Sequence, residues 1–347
     1  MKRLSFVILA LLLVSLLCSG GVVAAEGATR TVNSQFSSSA QSAVVMERSS
    51  HRVLFEQNAD MHLPMASTTK IVTALTVINH ANLDEMVEVS PKAVGIEGSS
   101  IYLRAGEHLT VRELLYGLML RSGNDSAVAL ALHVAGSIDA FAEMMNETAK
   151  NLGCVDSHFV NPHGLHDDEH YTSARDLATL TCVALANPDF QEIVATKTVR
   201  ISNEGMEYDR VLLNKNKLLT NYDGADGVKT GYTKKAGRCF VGSATRDGMQ
   251  VVVVVLNCGP MFEETADMLN VAFGNYALQR VIPKNKVCGS RIENGRRVYF
   301  ICPESFAYPV KDGERVSATI NLDGEIPTIS AQLDGKTIFE RELIKYK

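Results

Sequence analysis

Pro64-Met65-Ala66-Ser67-Thr68-Thr69-Lys70 turns an extended chain into a helix and puts two reactive side chains at its start. Pro64 halts extended structure because it has no N–H to give a strand ladder. Ile71, Val72, Leu75, Val77 and Ile78 follow at helical spacing, so residues 68–80 read as a buried helix with Ser67 at its beginning. Ahead of it, residues 43–46 and 53–55 read as two strands joined through Ser49-Ser50-His51. Far downstream, residues 240–244 and 251–258 flank Arg246-Asp247-Gly248, a hairpin signal. Residues 262–278 read as a closing helix. Helices enclosed by strands that come first and last predict one α/β (α+β) unit with an antiparallel sheet.

Between those strands, residues 111–140 carry two apolar helical stretches interrupted at Ser122-Gly123-Asn124. A further helix is expected over 174–186, after the turn Asn161-Pro162-His163-Gly164. Past Val281 the pattern changes. Residues 298–301, 316–320 and 338–344 alternate or run apolar, and Asp312-Gly313, Asp323-Gly324 and Asp334-Gly335 mark turns between them. The expected division is a main domain over 41–280 and a small all-β domain over 281–347, with no internal repeat.

The first residues concern destination. Met1-Lys2-Arg3 is a basic head, residues 4–17 are apolar, and Ala24-Ala25 offers the small residues of a cleavage site. The apolar run falls short of the ~20 residues a spanning helix needs, so residues 1–25 read as a signal peptide and the protein as exported. Residues 26–40, rich in Ser, Thr, Ala and Gln, read as a flexible leader. The chain has 347 residues and a formal net charge of −5, with no basic stripe to suggest nucleic acid as a partner. Without Cys18, six cysteines remain, and an exported protein could pair them. Several lie in apolar stretches and read as buried thiols; Cys288 and Cys302, flanking a hairpin, are the first pair to consider for a disulfide.

Three short stretches carry chemistry, and each has an ordinary structural reading when taken alone. A serine hydroxyl is a poor nucleophile until a neighbour takes its proton. Lys70 follows Ser67 by nearly one helical turn, so the two share a face. The lysine can act as a base only if burial and nearby positive charge, such as that of Lys229, strip its proton near neutral pH. Otherwise Ser67 caps a helix and Lys70 is solvated. Ser122-Gly123-Asn124 places a hydroxyl and an amide between two helices; Ser122 can relay a proton and Asn124 can hold Lys70 and a substrate amide, or the stretch is a plain turn. Lys229-Thr230-Gly231 follows Asp226-Gly227, read as a turn feeding a strand. Lys229 and Thr230 offer a cation and a hydroxyl to a substrate carboxylate, and Gly231 clears room for substrate backbone. The Tyr232 N–H can pair with that of Ser67 as an oxyanion hole.

Jointly, in this order and with domain-sized gaps, the three stretches resemble the low-molecular-mass penicillin-binding proteins that act as D-alanyl-D-alanine carboxypeptidases. The similarity extends to Leu120-Arg121-Ser122-Gly123-Asn124-Asp125-Ser126-Ala127, Asn161-Pro162-His163-Gly164-Leu165 and Asp226-Gly227-Val228-Lys229-Thr230-Gly231-Tyr232-Thr233. It covers residues 40–280, and the trailing β domain is similar to that family's second domain. The resemblance implies a β-lactamase/transpeptidase-like fold and no cofactor. It implies Ser67 as acylated nucleophile, Lys70 as base, Ser122 and Asn124 as proton shuttle and aligner, and Gly123, Lys229, Thr230, Gly231 and Tyr232 as substrate-binding residues. The substrate would be a peptidoglycan stem peptide ending in D-alanyl-D-alanine, with β-lactams as inhibitors.

Some positions depart from that family. Tyr232 stands where some members carry histidine, and Asn257-Cys258-Gly259-Pro260 where some present arginine. The last residues, 341–347, are strand-like, so no C-terminal membrane anchor is expected. A serine β-lactamase shares all three motifs, but no Glu-x-x-Leu-Asn-type segment lies between Asn124 and Lys229. A non-hydrolytic β-lactam sensor would bring spanning segments and a partner domain. His163, His166, Asp167, Asp168 and His170 cluster, but their spacing fits no common metal motif and reads as a polar loop at the cleft rim.

Overall fold

The computed structural model describes residues 35–346; the expected signal peptide and the first part of the leader lie outside them. In chain order the main domain holds β1 (Ser42–Glu47), β2 (Val53–Gln57), α1 (Lys70–His80), a short ribbon of β3 (Met86–Glu88) and β4 (His108–Thr110), then α2 (Val111–Leu120), α3 (Asn124–Ala135), α4 (Ile138–Asn151), α5 (Ala174–Ala184) and α6 (Pro188–Ala195). A hairpin of β5 (Thr198–Ile201) and β6 (Arg210–Leu213) and a single helical turn, α7 (Leu218–Asn221), lead into β7 (Ala225–Thr233), β8 (Gly237–Arg246), β9 (Met249–Leu256) and α8 (Met261–Asn275).

Five strands form one antiparallel sheet in the order β2-β1-β9-β8-β7. The first strands of the chain therefore pair with the last ones of the domain, as the enclosure of helices by strands predicts. β9 explains why residues 251–256 read as an unbroken apolar run. Val252, Val254 and Leu256 face a core shared with α1 to α6, whereas Val251, Val253 and Val255 face one shared with α8. A strand covered on both faces has no polar side to alternate with. Burying each such valine contributes about 2 kcal/mol.

Sequence patterning misjudges several boundaries. The helix expected from residue 68 begins as a 3-10 turn, Ala66–Thr69, and becomes α-helical at Lys70. Asp226-Gly227 is not a turn but part of β7, with a register shift between Ala225 and Gly227. The Asp226 carboxylate explains its place there: it accepts from Ser243 Oγ, Thr245 Oγ1 and Gln250 Nε2 on the neighbouring strands at 2.5, 2.5 and 2.8 Å. α8 stops at Asn275, and Tyr276 to Leu278 are already extended.

That extension is β10 (Tyr276–Ile282), which pairs with β13 (Phe306–Lys311). Between them lies the hairpin of β11 (Val287–Glu293) and β12 (Arg296–Ile301). β14 (Val316–Asn321), β15 (Thr328–Leu333) and β16 (Lys336–Glu342) form a meander, and β17 (Ile344–Lys345) returns to β12. Ile282, Phe300, Cys302, Val316, Ile329, Ala331 and Leu343 build a core of their own there. The six described cysteines are free thiols; Cys288 and Cys302 sit at one end of the β11–β12 hairpin but are not bridged. Residues 36–40, read as leader, are held against the fold: Phe36 stacks on Phe55 with centroids 5.2 Å apart, and Glu264 accepts from Ser38 Oγ at 2.8 Å. Among the described residues no single helix is long and apolar enough to cross a membrane.

Candidate active site

The three sequence stretches meet. Ser67 lies in the 3-10 turn before α1, Ser122 and Asn124 flank the start of α3, and Lys229 to Tyr232 lie on edge strand β7. Ser67, Ser122, Thr230, Gly231 and Tyr232 line one cleft of about 400 Å³, together with Ser99, Lys215, Met261 and Phe262. Two of the residues that shape it adopt left-handed backbone that costs a residue with a Cβ about 1–2 kcal/mol: Ala66 at φ +50° and Ser122 at φ +64°. Gly123 fits where a Cβ would stand 2.8 Å from both Asp125 Oδ1 and Ser126 Oγ.

Lys70 is the centre of the arrangement. It is fully buried, and its Nζ lies 3.2 Å from Ser67 Oγ, 2.7 Å from Asn124 Oδ1 and 2.5 Å from the His163 carbonyl oxygen. Asn124 Nδ2 donates to the Glu97 carbonyl at 2.5 Å, which fixes the amide orientation and leaves Oδ1 as a pure acceptor. A neutral amine has two N–H groups and one lone pair. Both N–H groups are claimed by obligate acceptors, so the lone pair is left for the Ser67 hydroxyl. Burial, then the positive charges of Lys229 and Lys215, push the Lys70 ammonium well below its ordinary value, with Asp125 opposing.

Lys229 is also buried and is pushed down to about 7, first by burial and then by Lys215. Its Nζ donates to the Thr230 carbonyl at 3.0 Å. Gly231 packs on the turn that carries Ser67: a Cβ there would stand 3.0 Å from the Ser67 nitrogen and 3.0 Å from the Met65 carbonyl oxygen. Tyr232 is 66% exposed at the cleft mouth.

Several residues of the site have no signal in the sequence. Lys215 reaches the cleft and donates to Ser99 Oγ at 2.9 Å. Its backbone is pinned on both sides: Asn214 Nδ2 donates to the Thr196 carbonyl at 2.9 Å and Asn216 Nδ2 to the Gly227 carbonyl at 2.8 Å. Ser99 in turn accepts the Asn124 N–H at 2.7 Å through its carbonyl. Asp125 anchors the segment that carries Ser99, accepting from Ser100 Oγ at 2.5 Å, Ile101 N at 3.0 Å and Leu103 N at 3.1 Å. Asn-Lys-Asn and Ser-Ser are too ordinary to be singled out by spacing.

The histidine loop corrects an expectation. His166 does pair with Asp168 at 3.3 Å near the surface, but the His163 carbonyl meets Lys70 and the buried His170 ring meets Thr69 rather than the rim. Burial and the neighbouring Lys70 push His163 down to about 3, so it adds no charge beside the lysine.

Known proteins are similar to this chain. The sequence profile of the peptidase S11 family, described as D-alanyl-D-alanine carboxypeptidase, matches residues 28–259. D-alanyl-D-alanine carboxypeptidase DacF of Bacillus subtilis is 32% identical, covering 88% of this chain and 85% of its own. D-alanyl-D-alanine carboxypeptidase DacA of Escherichia coli is also 32% identical, over 88% and 82%. Among solved structures, penicillin-binding protein 5 of Haemophilus influenzae superposes with a TM-score of 0.77 at 25% identity, over 90% of this chain and 97% of that one.

Proposed function

This chain belongs to the D-alanyl-D-alanine carboxypeptidase family, peptidase S11, and we propose that it works through an acyl-enzyme on Ser67. The family's reaction is a serine hydrolase's, and the observation that carries the residue assignment is the environment of Lys70. Both amine protons are committed to Asn124 Oδ1 and the His163 carbonyl, so the lone pair at 3.2 Å can take the Ser67 proton.

The Ser67 oxygen attacks the carbonyl of the penultimate D-alanine while Lys70 accepts its proton. The backbone N–H groups of Ser67 and Tyr232 receive the negative charge that develops on the carbonyl oxygen. Lys229, Thr230 and Lys215 hold the terminal carboxylate; this chain thereby compensates for the arginine absent after β9. Ser122 relays the proton that Lys70 took to the departing D-alanine amine as the C–N bond breaks, leaving Lys70 neutral again, and Asn124 aligns the substrate amide and Lys70. Water then cleaves the ester and frees Ser67. The stem peptide lies along β7, an edge strand with one side open.

The substrate is a peptidoglycan stem peptide ending in D-alanyl-D-alanine, β-lactams acylate the same serine, and the enzyme works outside the cytoplasm after loss of residues 1–25. Intact mass after brief exposure to benzylpenicillin, beside Ser67→Ala, tests the assignment. A penicilloyl adduct on the parent alone, with D-alanine released from a D-alanyl-D-alanine peptide, is expected. An adduct that survives Ser67→Ala, or rapid antibiotic hydrolysis without an adduct, overturns it.

A further inference from the structure

One side chain in the loop behind the nucleophile has no part in the steps above. His170 is 3% exposed and packs edge-on against Phe159, with ring centroids 5.8 Å apart. Both ring nitrogens are engaged. The Val160 N–H donates to Nδ1 at 3.1 Å, so in a neutral ring the proton sits on Nε2. Burial pushes His170 down to about 4 and keeps the ring neutral near pH 7. Nε2 lies 2.8 Å from Thr69 Oγ1 and donates to it. The Thr69 hydroxyl proton is thereby directed to the Ala66 carbonyl oxygen, 2.8 Å away.

Ala66 immediately precedes the nucleophile and is held at φ +50°, which a residue with a Cβ rarely adopts. Gly164 packs against the same carbonyl: a Cβ there would stand 2.0 Å from its oxygen and 2.9 Å from Thr69 Oγ1. The Ala66–Ser67 peptide carries the Ser67 N–H. A rotation of this peptide toward relaxed backbone would turn that N–H away from Gly231 and Tyr232.

We propose that His170 is a positioning residue for acylation, acting through Thr69 to hold the Ala66 carbonyl and so the Ser67 N–H in place. The inference rests on Ser67 being the acylated residue. A histidine that only fills space beside Phe159 would cost stability when removed but would show no particular coupling to the Thr69 hydroxyl.

The test is the second-order rate of benzylpenicillin acylation, followed by intact mass. It compares the parent, His170→Ala, His170→Gln, Thr69→Val and the His170→Ala/Thr69→Val double variant, with a thermal melt of each. Each single loss is expected to slow acylation about tenfold, a modest share of what misplacement of a reacting group can cost. The double variant should be no slower than the slower single one, because both break the same chain. His170→Gln should recover most of the rate, since its amide N–H reaches the position of Nε2–H. Losses that multiply in the double variant, or a parental rate in His170→Ala, overturn the proposal. If His170→Ala does not fold, Thr69→Val decides it: a parent-like melt with an unchanged rate overturns the proposal, and a slowed rate supports it. A parent that takes no label would sink the Ser67 assignment itself.

Discussion

Burial first, and then the neighbouring lysines, push the Lys70 ammonium down in this fold. Lys215 lowers both Lys70 and Lys229, and Lys229 lowers Lys70 further. Each positive neighbour makes another proton on Lys70 more costly. Replacing Lys215 by Gln removes one such charge, so the Lys70 ammonium should lose its proton only at higher pH. The acid limb of the pH–acylation profile with benzylpenicillin is therefore expected to move to higher pH; a limb that stays or moves lower contradicts the assignment of Lys70 as base. Stability follows the same sign. A lysine depressed below its ordinary 10.5 binds fewer protons folded than unfolded. Its burial therefore weakens the fold below that pH, and the loss is relieved as pH rises toward 10.5. Removing Lys70 by Lys70→Met should abolish acylation and flatten this dependence in denaturant titrations between neutral pH and pH 10. At this scale the side chains that the structure brings together were legible, because Ser-x-x-Lys, Ser-Gly-Asn and Lys-Thr-Gly are defined by type and spacing. Lys215, Ser99 and the carbonyls of His163 and Glu97 were not. A carbonyl belongs to every residue, and which one meets Lys70 depends on where a loop folds back.

Elements position these groups by close approach. β7 packs on the turn that carries Ser67, with Gly231 at the contact. Gly231→Ala would set a methyl carbon 3.0 Å from the Ser67 nitrogen and 3.0 Å from the Met65 carbonyl oxygen, and one of the two elements must shift. Acylation is expected to fall on the order of 10²-fold, as when an oxyanion donor is removed. The circular dichroism spectrum should be unchanged; a parental acylation rate would show that the contact is slack. Elements with strong periodicity or apolar runs, α1 and β9 among them, were legible. The β5–β6 hairpin was not: Val211 and Leu213 face solvent at 55% and 58% exposure while Leu212 between them is buried, so apolar residues on both faces hide the alternation. The end of α8 was missed for a related reason. Tyr276, Ala277 and Leu278 suit helix or strand alike, and their pairing with Lys311, Val310 and Pro309 on β13 decides for strand.

The β strands after α8 are fastened to the main sheet by Arg52. Its guanidinium makes two 2.8 Å bonds to the Glu314 carboxylate, donates to the Pro309 carbonyl at 2.6 Å, and lies 5.3 and 5.0 Å from the ring centroids of Tyr276 and Tyr308. Both charged side chains are 13% exposed, and breaking a pair so covered costs about 3 kcal/mol. Arg52→Ala should lower the denaturant midpoint by a corresponding amount while leaving benzylpenicillin acylation at its parental rate. A parental midpoint would mean that the clasp contributes nothing net. The sequence by itself determined that strands enclose a run of helices and precede a β region, which residue types could react, and which family they resemble. Each of these follows from local spacing and from what each side chain can do. Only the tertiary structure decided that Lys70 is buried among obligate acceptors, that Lys215 joins Lys229 at the cleft, and that His170 reaches Ala66 through Thr69. Basicity and backbone strain are set by groups brought together from distant parts of the chain, and no local pattern records that convergence.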